Sequence, residues 1–242
     1  MKKTLYVMML CIVSVLSSCS QKGQDECNLY PICEDGKWGY IDKTGKVIID
    51  PQFDDAEDFF EGLACVEVGD KHGYIDKTGK MVIDPQFDEA GRFFKGLSYV
   101  KIGWRYGYID REGTLVIDTQ FIDAWPFSEG LACVLIGDKY GYIDRTGKMV
   151  IDPQFDRARY FSEGLALAEI GNKWGYIDKK GKMVIKPQFD DWVSGFSEGF
   201  ALIRIGGRCG YIDKKGKIAI DLQFDVARDF SEDLACIAWL LL

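Results

Sequence analysis

The tetrapeptide Gly-Tyr-Ile-Asp occurs six times in this chain of 242 residues and constrains the fold more than any other feature. The copies begin at Gly39, Gly73, Gly107, Gly141, Gly175 and Gly210, so four spacings of 34 residues are followed by one of 35. The extra residue lies between Phe189 and Gly199. A unit of this size is too small to bury an apolar face alone, whereas stacked units share one core. The sequence therefore predicts six equivalent units rather than one or two conventional domains.

Each unit has the pattern of three short strands. In the first copy, residues 38–42 and 46–49 are rich in β-branched and aromatic side chains, and the loop at 43–45 ends in a glycine typical of a tight hairpin. Residues 63–68 predict a third strand, which a turn at 69–71 joins to the first strand of the next copy. The 27 glycines of the chain reflect turns that recur in every copy.

A connector at residues 50–62 separates the second and third strands. Pro51 has no N–H group for a sheet hydrogen bond, so we expect the second strand to stop before it. Phe53, Ala56 and Phe59 are spaced by three residues, which predicts a helical turn that inserts apolar groups between units. We interpret the repeated phenylalanine as a packing contact rather than a ligand site, since it recurs at Phe53, Phe87, Phe121, Phe155, Phe189 and Phe224.

These patterns predict an all-β fold, a β-solenoid-like tandem array of six three-stranded repeats, preceded by a leader strand near residues 29–33. A closed, propeller-like ring is the alternative, and we favour the open array because propeller blades usually have four strands. Residues 234–242 predict an apolar strand with no turn after it, whose edge is expected to pair with an earlier strand, a second chain or an aggregate.

The repeated string resembles a known family. From Trp38 onward the first copy reads Trp-Gly-Tyr-Ile-Asp-Lys-Thr-Gly-Lys-Val-Ile-Ile-Asp-Pro-Gln-Phe-Asp, which is similar to the bacterial WG repeat, also called KWG. The resemblance covers residues 29–242, although the other copies replace the tryptophan, which returns at Trp174, by His72, Tyr106, Tyr140 and Cys209. It implies an all-β binding or structural module, common in exported bacterial proteins, with no known reaction or cofactor.

The N-terminus has the pattern of an export signal. Lys2 and Lys3 precede an apolar run at residues 5–16, which is shorter than the ~20 residues that cross a bilayer. The run ends in Leu16-Ser17-Ser18-Cys19, which resembles the bacterial lipoprotein processing box and implies lipidation of Cys19. We expect the outer membrane, facing the periplasm or the cell surface, because Ser20 is not an aspartate-type retention signal.

The chain therefore divides into three segments. These are a signal peptide at residues 1–18, a lipidated tether at 19–28 and a repeat domain at 29–242, with copies starting near residues 38, 72, 106, 140, 174 and 209.

The residues that could act in catalysis or metal binding are better explained as structural residues of the repeat. An aspartate precedes each hairpin loop, and we interpret it as a turn residue that accepts backbone N–H bonds rather than as a calcium ligand or a glycosidase carboxylate. It stands at Asp42, Asp76, Asp110, Asp144, Asp178 and Asp213. His72, the single histidine, occupies the repeated aromatic position and is assigned to packing. We predict no metal, no cofactor and no enzymatic activity, with a glycoside hydrolase as the remote alternative.

The net charge bears on the possible partners, and the positions of the cysteines bear on their packing and pairing. The formal net charge of −8 disfavours nucleic acid. Cys65, Cys133 and Cys236 share one position of the third strand and are expected to pack as small apolar residues. Cys27 and Cys33, near the leader strand, are the candidate pair for a disulfide in an exported protein.

Positions at which the copies differ are the best candidates for ligand contact, since framework positions recur. They include Trp104 and Arg105 at the third-to-first-strand turn, Trp125 in the third connector and Trp192 in the fifth. Exposed Trp and Arg are typical anchors of recognition surfaces, and local packing is their alternative role. We interpret the chain as a lipid-anchored, non-catalytic binding or scaffold module with an unknown protein or glycan partner. A carbohydrate- or peptide-binding surface protein is the alternative.

Replacing Cys19 by alanine is expected to abolish membrane fractionation, because the lipid would lose its attachment site. Immunoblots of the soluble and membrane pools, with the unchanged chain as control, measure this. If the C19A protein stays in the membrane pool, the anchor assignment is wrong.

Overall fold

The computed structural model describes residues 29–238, and within that range the chain forms β-strands, turns and irregular connections without a helix. The strands make seven consecutive antiparallel sheets. The prediction of an all-β tandem array is confirmed.

The sheets are numbered in chain order. Sheet 1 contains β1 (Leu29–Glu34), β2 (Lys37–Asp42) and β3 (Val47–Phe53), and sheet 2 contains β4 (Asp55–Ala56), β5 (Leu63–Val68), β6 (Lys71–Asp76) and β7 (Met81–Phe87). Sheet 3 contains β8 (Glu89–Ala90), β9 (Ser98–Ile102), β10 (Arg105–Ile109) and β11 (Leu115–Phe121), and sheet 4 contains β12 (Asp123–Ala124), β13 (Leu131–Ile136), β14 (Lys139–Asp144) and β15 (Met149–Phe155). Sheet 5 contains β16 (Arg157–Ser162), β17 (Leu165–Ile170), β18 (Lys173–Asp178) and β19 (Met183–Phe189). Sheet 6 contains β20 (Phe200–Ile205), β21 (Arg208–Asp213) and β22 (Ile218–Phe224), and sheet 7 contains β23 (Val226–Ala227) and β24 (Ile237–Ala238).

Sheets 2 to 6 each combine parts of two sequence copies. In sheet 2, β4 and β5 come from the first copy and β6 and β7 from the second, and β5 pairs with β6 from Leu63↔Asp76 to Val68↔Lys71. The connector supplies an additional strand, so sheets 2 to 5 have four strands where the sequence predicts three. The strand count therefore no longer argues against a propeller-like arrangement of these sheets.

The expectation that the second strand stops before Pro51 is wrong. Strand β3 continues to Phe53, which pairs with Trp38, while Ile49 pairs with Tyr40. The residues between these pairs form a bulge, where no ladder hydrogen bond is needed from the proline nitrogen. The bulge lies directly against Gly39, where a β-carbon would collide with the Ile49 carbonyl. The same register shift recurs opposite the glycine of each later copy.

The predicted helical turn of the connector is also wrong. Phe53, Ala56 and Phe59 are buried as expected, but the backbone between them is extended or irregular. The reason lies in the hydrogen bonds, because the N–H of Glu57 donates to the Cys65 carbonyl at 3.0 Å, across to β5. Main-chain N–H groups that a helix would pair within the connector therefore bond to the neighbouring strand instead.

A buried tyrosine joins each pair of neighbouring sheets. Its hydroxyl donates to a connector carbonyl at 2.6–2.8 Å, and its ring packs on a connector phenylalanine with centroids 4.8–4.9 Å apart. The ring pairs are Tyr40–Phe59, Tyr74–Phe93, Tyr108–Phe127, Tyr142–Phe161, Tyr176–Phe196 and Tyr211–Phe230. The core is accordingly divided into six layers, each between two consecutive sheets.

The aspartate of each Gly-Tyr-Ile-Asp segment caps its own hairpin, as predicted. Asp42 Oδ1 accepts from the N–H groups of Thr44 and Lys46 and from the Thr44 hydroxyl. The hydroxyl bond is the main cause that holds the pKa of Asp42 below its ordinary value. Equivalent backbone contacts occur at Asp76, Asp110, Asp144, Asp178 and Asp213.

A second set of contacts joins the later sheets through their connectors. The Ser128 hydroxyl donates to the Phe161 carbonyl at 2.7 Å, and Ser162 and Ser197 repeat this contact one sheet further on. We call these bonds the serine ladder. In the first two copies its position is occupied by Phe60 and Phe94.

Replacing Tyr108 by phenylalanine is expected to lower the free energy of unfolding by about 1–2 kcal/mol, because the Trp125 carbonyl would lose its donor. Tyr160, whose side chain is exposed, provides the control, and Y160F should change stability by less than about 0.5 kcal/mol. Urea unfolding followed by circular dichroism measures both. Equal stability of Y108F and Y160F would contradict the role given to the hydroxyl.

Replacing Gly141 by alanine is expected to cost about 2–3 kcal/mol, because a β-carbon there would lie 2.6 Å from the Ile151 carbonyl oxygen. Gly195 is the matched control, since its β-carbon would meet nothing closer than Ser162 Cβ at 3.8 Å. A G141A midpoint in urea as high as that of G195A would show that the close approach is not essential.

Candidate functional site

Every connector contains two residues that differ from copy to copy between two positions that hardly change. The preceding position is alanine, or Val193 in the fifth copy, and the following position is the phenylalanine that packs on the buried tyrosine. We call the two residues the variable pair. The pairs are Glu57-Asp58, Gly91-Arg92, Trp125-Pro126, Arg159-Tyr160, Ser194-Gly195 and Arg228-Asp229.

The framework holds each variable pair through main-chain atoms. The carbonyl of the first member accepts the tyrosine hydroxyl, as Glu57 does from Tyr40 at 2.8 Å. Its N–H commonly donates to the third strand, as Trp125 does to the Cys133 carbonyl at 3.0 Å. Neither bond involves the side chains of the pair, so those side chains vary without loss of the anchoring contacts.

The variable pairs of three consecutive copies meet in one cavity of about 390 Å³. Asp58, Arg92 and Pro126, which occupy the same position in their copies, all line it. The other lining residues come from sheets 1 to 3 and are Pro31, Trp38, Ala56, Glu57, Phe60, Gly91 and Tyr99. Sheets that stack face to face lie about 10 Å apart, so four flat layers would not share so small a space. The connectors of sheets 2, 3 and 4 therefore lie close enough together to line one cavity with strands of sheet 1.

The polar groups of the cavity have few compensating partners. Within residues 29–238, neither Glu57 nor Asp58 forms an ion pair, in contrast to pairs such as Lys71–Asp88 on the outer surface. Desolvation raises the pKa of Glu57, and the positive charge of Arg92 opposes this shift only in part.

The aromatic walls are fixed by local packing. The guanidinium carbon of Arg92 lies 4.3 Å from the centroid of the Phe60 ring. A β-carbon at Gly91 would overlap the Tyr99 ring, so the glycine allows this ring to lie against the connector. Desolvation raises the pKa of Tyr99, and the charge of Glu57 adds to the shift.

The four surface residues singled out from the sequence lie at different places. Trp104 is 89% exposed in the turn between β9 and β10, and Arg105 donates to the Gln120 carbonyl at 3.2 Å. Trp125 belongs to a variable pair whose second member lines the cavity. Trp192 lies in the fifth connector at the position of Asp55, because the inserted residue precedes it. Neither Trp104 nor Trp192 lines the cavity, and no ring contact joins the three tryptophans in the described chain.

Sequence reasoning missed most of the cavity residues, including Glu57, Asp58, Phe60 and Arg92. Their signal was present, since the variable pairs differ between otherwise aligned copies. Single charged residues in acidic connectors attract less notice than unusual tryptophans. Their meeting in one cavity depends on how consecutive sheets are placed, which no single copy encodes.

The cysteine and histidine predictions have mixed outcomes. Cys65 and Cys133 are buried in the third strand, and burial raises the pKa of both thiols, whereas Cys236 is exposed. Cys33 is exposed on β1, and Cys27, its candidate disulfide partner, lies outside the described residues. His72 is partly buried and pairs with Phe87, as its packing assignment expects.

The remaining predictions concern the two ends of the chain, membrane-spanning segments and metal binding. The signal peptide, Cys19, the tether and residues 239–242 lie outside the described range. Over residues 29–238, no helix has the length and apolar character to cross a membrane, and no group of three or more His, Cys, Asp or Glu side chains is arranged to hold a metal ion.

A family model described as WG containing repeat matches the chain six times, at residues 38–71, 73–103, 106–140, 140–174, 174–209 and 210–237. A search of curated proteins finds no match.

Solved structures with a similar fold are β-propeller-like proteins. A eukaryotic initiation factor has a TM-score of 0.54 at 12% identity, over 83% of this chain and 64% of that one. Hsv2 of Kluyveromyces lactis has a TM-score of 0.51 at 9% identity, over 78% and 71% of the two chains. The dihydro-heme d1 dehydrogenase NirN has a TM-score of 0.52 at 12% identity, over 89% and 59%. The chain thus spans less than two thirds of the initiation factor and of NirN. At these identities the likeness concerns the fold alone.

Proposed function

The chain belongs to the WG-repeat family, and from this premise we propose that it is a non-catalytic binding module whose ligand occupies the cavity between the variable pairs. The observation that carries the proposal is the meeting of Asp58, Arg92 and Pro126 in one cavity. Repeat proteins recognise ligands through positions that vary on a constant framework. A concave site with aromatic walls and a few charged groups is the usual form of a ligand pocket.

The composition of the cavity favours binding over a structural role. A position that only filled space between sheets would recur, as the buried tyrosine and phenylalanine do in every copy. The variable pairs instead place two acids, an arginine and a proline at neighbouring positions. Glu57, Asp58 and Arg92 are exposed to solvent at this surface, so their charged groups are accessible to a ligand.

The position of the carboxylates argues against a glycoside hydrolase. Such enzymes place two carboxyl groups about 5–10 Å apart on opposite sides of the bond that is cleaved. Glu57 and Asp58 are consecutive residues of one connector, so both belong to one wall of the cavity. Binding without chemistry is the simpler use of this pair.

We further propose that the module is held at the outer membrane through lipid on Cys19. The resemblance to the lipoprotein processing box supports this anchor, and residues 20–28 would form a tether ahead of β1. In this arrangement the module lies in the space next to the membrane, where a protein or glycan of the envelope is the expected partner. A scaffold role, or a carbohydrate- or peptide-binding surface protein, remains within the same proposal.

Replacing Phe60 by serine tests the cavity as the ligand site. Serine is the residue that copies 3 to 6 carry at this position, so the change is compatible with the framework while it removes a wall of the cavity. Full-length protein in detergent should capture at least about tenfold less ligand from an envelope extract, measured by quantitative mass spectrometry, because a buried aromatic contact contributes about 1.5 kcal/mol or more.

Phe94→Ser is the matched control, since Phe94 occupies the same position in the second copy and does not line the cavity. It should retain the captured material. Equal capture by F60S and F94S would show that the ligand binds elsewhere.

A further inference from the structure

The cavity carries more negative than positive charge, and this bears on the ligand of the proposed function. Glu57 and Asp58 contribute two carboxylates, and Arg92 contributes one guanidinium. Asp55 stands nearby on the same connector and adds to the shift in the pKa of Glu57. An electronegative cavity in a protein with a net charge of −8 attracts cations and repels anions.

The negative potential also acts on neutral groups around the cavity. The charge of Glu57 contributes to the raised pKa of Tyr99 and to that of Cys65, after desolvation in both cases. Cys65 lies on β5 of sheet 2 and Tyr99 on β9 of sheet 3, so the carboxylate lies near groups of both sheets. A cationic ligand is the kind that these two carboxylates attract, whereas a neutral ligand gains nothing from their charge.

The stacking of Arg92 on Phe60 indicates which cation the walls accept. A guanidinium carbon 4.3 Å from a ring centroid is within the range of a cation–π contact. Arg92 has no carboxylate partner within ion-pair distance in residues 29–238, so aromatic stacking rather than an ion pair holds it there. Trp38 and Tyr99 supply further aromatic surface in the same cavity.

We propose that the cavity binds a basic side chain, an arginine or lysine of a partner polypeptide, with its cationic end at Glu57 and Asp58 and its stem between Trp38, Phe60 and Tyr99. This inference rests on the proposed function, since it specifies the ligand of the same site. Arg92 is an internal competitor in this arrangement. Its charge repels the incoming cation, and its side chain covers the face of Phe60 that the ligand uses.

If Arg92 competes with the ligand, its removal should raise the affinity for a basic peptide rather than lower it. Titration calorimetry of the full-length protein in detergent with acetyl-Gly-Arg-Gly-Gly-amide should show binding that is about tenfold stronger than that of the norleucine peptide. Glu57→Gln and Asp58→Asn should each weaken binding of the arginine peptide about fivefold to tenfold, because each removes a compensating charge. Arg92→Ala should strengthen it about fivefold, whereas for an anionic ligand the same change weakens binding.

Controls outside the cavity separate local from general effects. Arg145, whose guanidinium carbon lies 5.7 Å from the Phe127 centroid, and Asp84, which is exposed on β7, serve for R145A and D84N. Both should leave the affinity unchanged, and thermal unfolding of every variant verifies that it is folded. A loss of affinity in D84N as large as in D58N would overturn the inference, since net charge alone would then explain the effect.

Acidification provides a second readout. Protonation of Glu57 removes its negative charge, so affinity for the arginine peptide should fall as the pH drops through the raised pKa of this group, and E57Q should reduce that dependence. The titratable and charged groups near Glu57 are Asp55 and Asp58 on its own connector, Arg92 on the next and the His72 imidazole on β6. An unchanged pH profile in E57Q would contradict its role.

The outcomes distinguish the two proposals. If the arginine peptide does not bind, or if R92A weakens its binding, a basic side chain is not the ligand. In that case the comparison of F60S with F94S still decides whether the cavity binds another molecule. If F60S also captures as much as F94S, both the ligand class and the site are wrong.

Discussion

The hydrogen bond from a buried tyrosine hydroxyl to a connector carbonyl is the contact on which the rest of the array depends. The tyrosine side chain belongs to one sheet and the carbonyl to the connector of the next sheet, so the bond links the two. It recurs in all six copies. Its net contribution is about 1 kcal/mol per copy, but the cost of leaving a buried carbonyl without a donor is larger. Burial also raises the pKa of Tyr74, Tyr108 and Tyr142, which keeps these hydroxyls protonated and able to donate. The ring beneath the hydroxyl then fixes the phenylalanine that closes the core layer.

Because this anchor uses a main-chain acceptor, the array separates stability from recognition. The connector keeps its path whether the first member of the variable pair is Glu57, Gly91 or Trp125, since only its carbonyl and N–H are used. The position directly before the glycine of Gly-Tyr-Ile-Asp also accepts different side chains, but for another reason. Trp38, His72 and Cys209 all pair with the phenylalanine at the end of the second strand, so this position sets the packing without demanding one side chain.

The sequence predicted those features that depend on one copy and missed those that depend on several. The pattern of residues 63–68 predicts the third strand with the bounds of β5, and the capping role of Asp42 follows from its position before Thr44. The expected strand end at Pro51 is wrong because a bulge accepts a residue without a donor, and the bulge depends on the close approach of Gly39 to the next strand. The helical prediction for the connector is wrong because a spacing of three does not distinguish a helical turn from an extended segment interrupted by a bend. The cavity is formed by residues of four sheets, and an alignment of the repeats does not show how those sheets are placed relative to one another.

The location of the cavity coincides with an interruption of the serine ladder. In the third to fifth copies, Ser128, Ser162 and Ser197 bond to the connector of the next sheet, which ties those connectors together. Phe60 cannot make this bond, and instead its ring forms a wall of the cavity beneath the Arg92 guanidinium. A serine here would strengthen the contact between sheets 2 and 3 at the expense of the aromatic surface. The first copy thus replaces one repeated hydrogen bond by an aromatic wall of the cavity, and a position that departs from its own repeat is what a ligand site on a repeat framework requires.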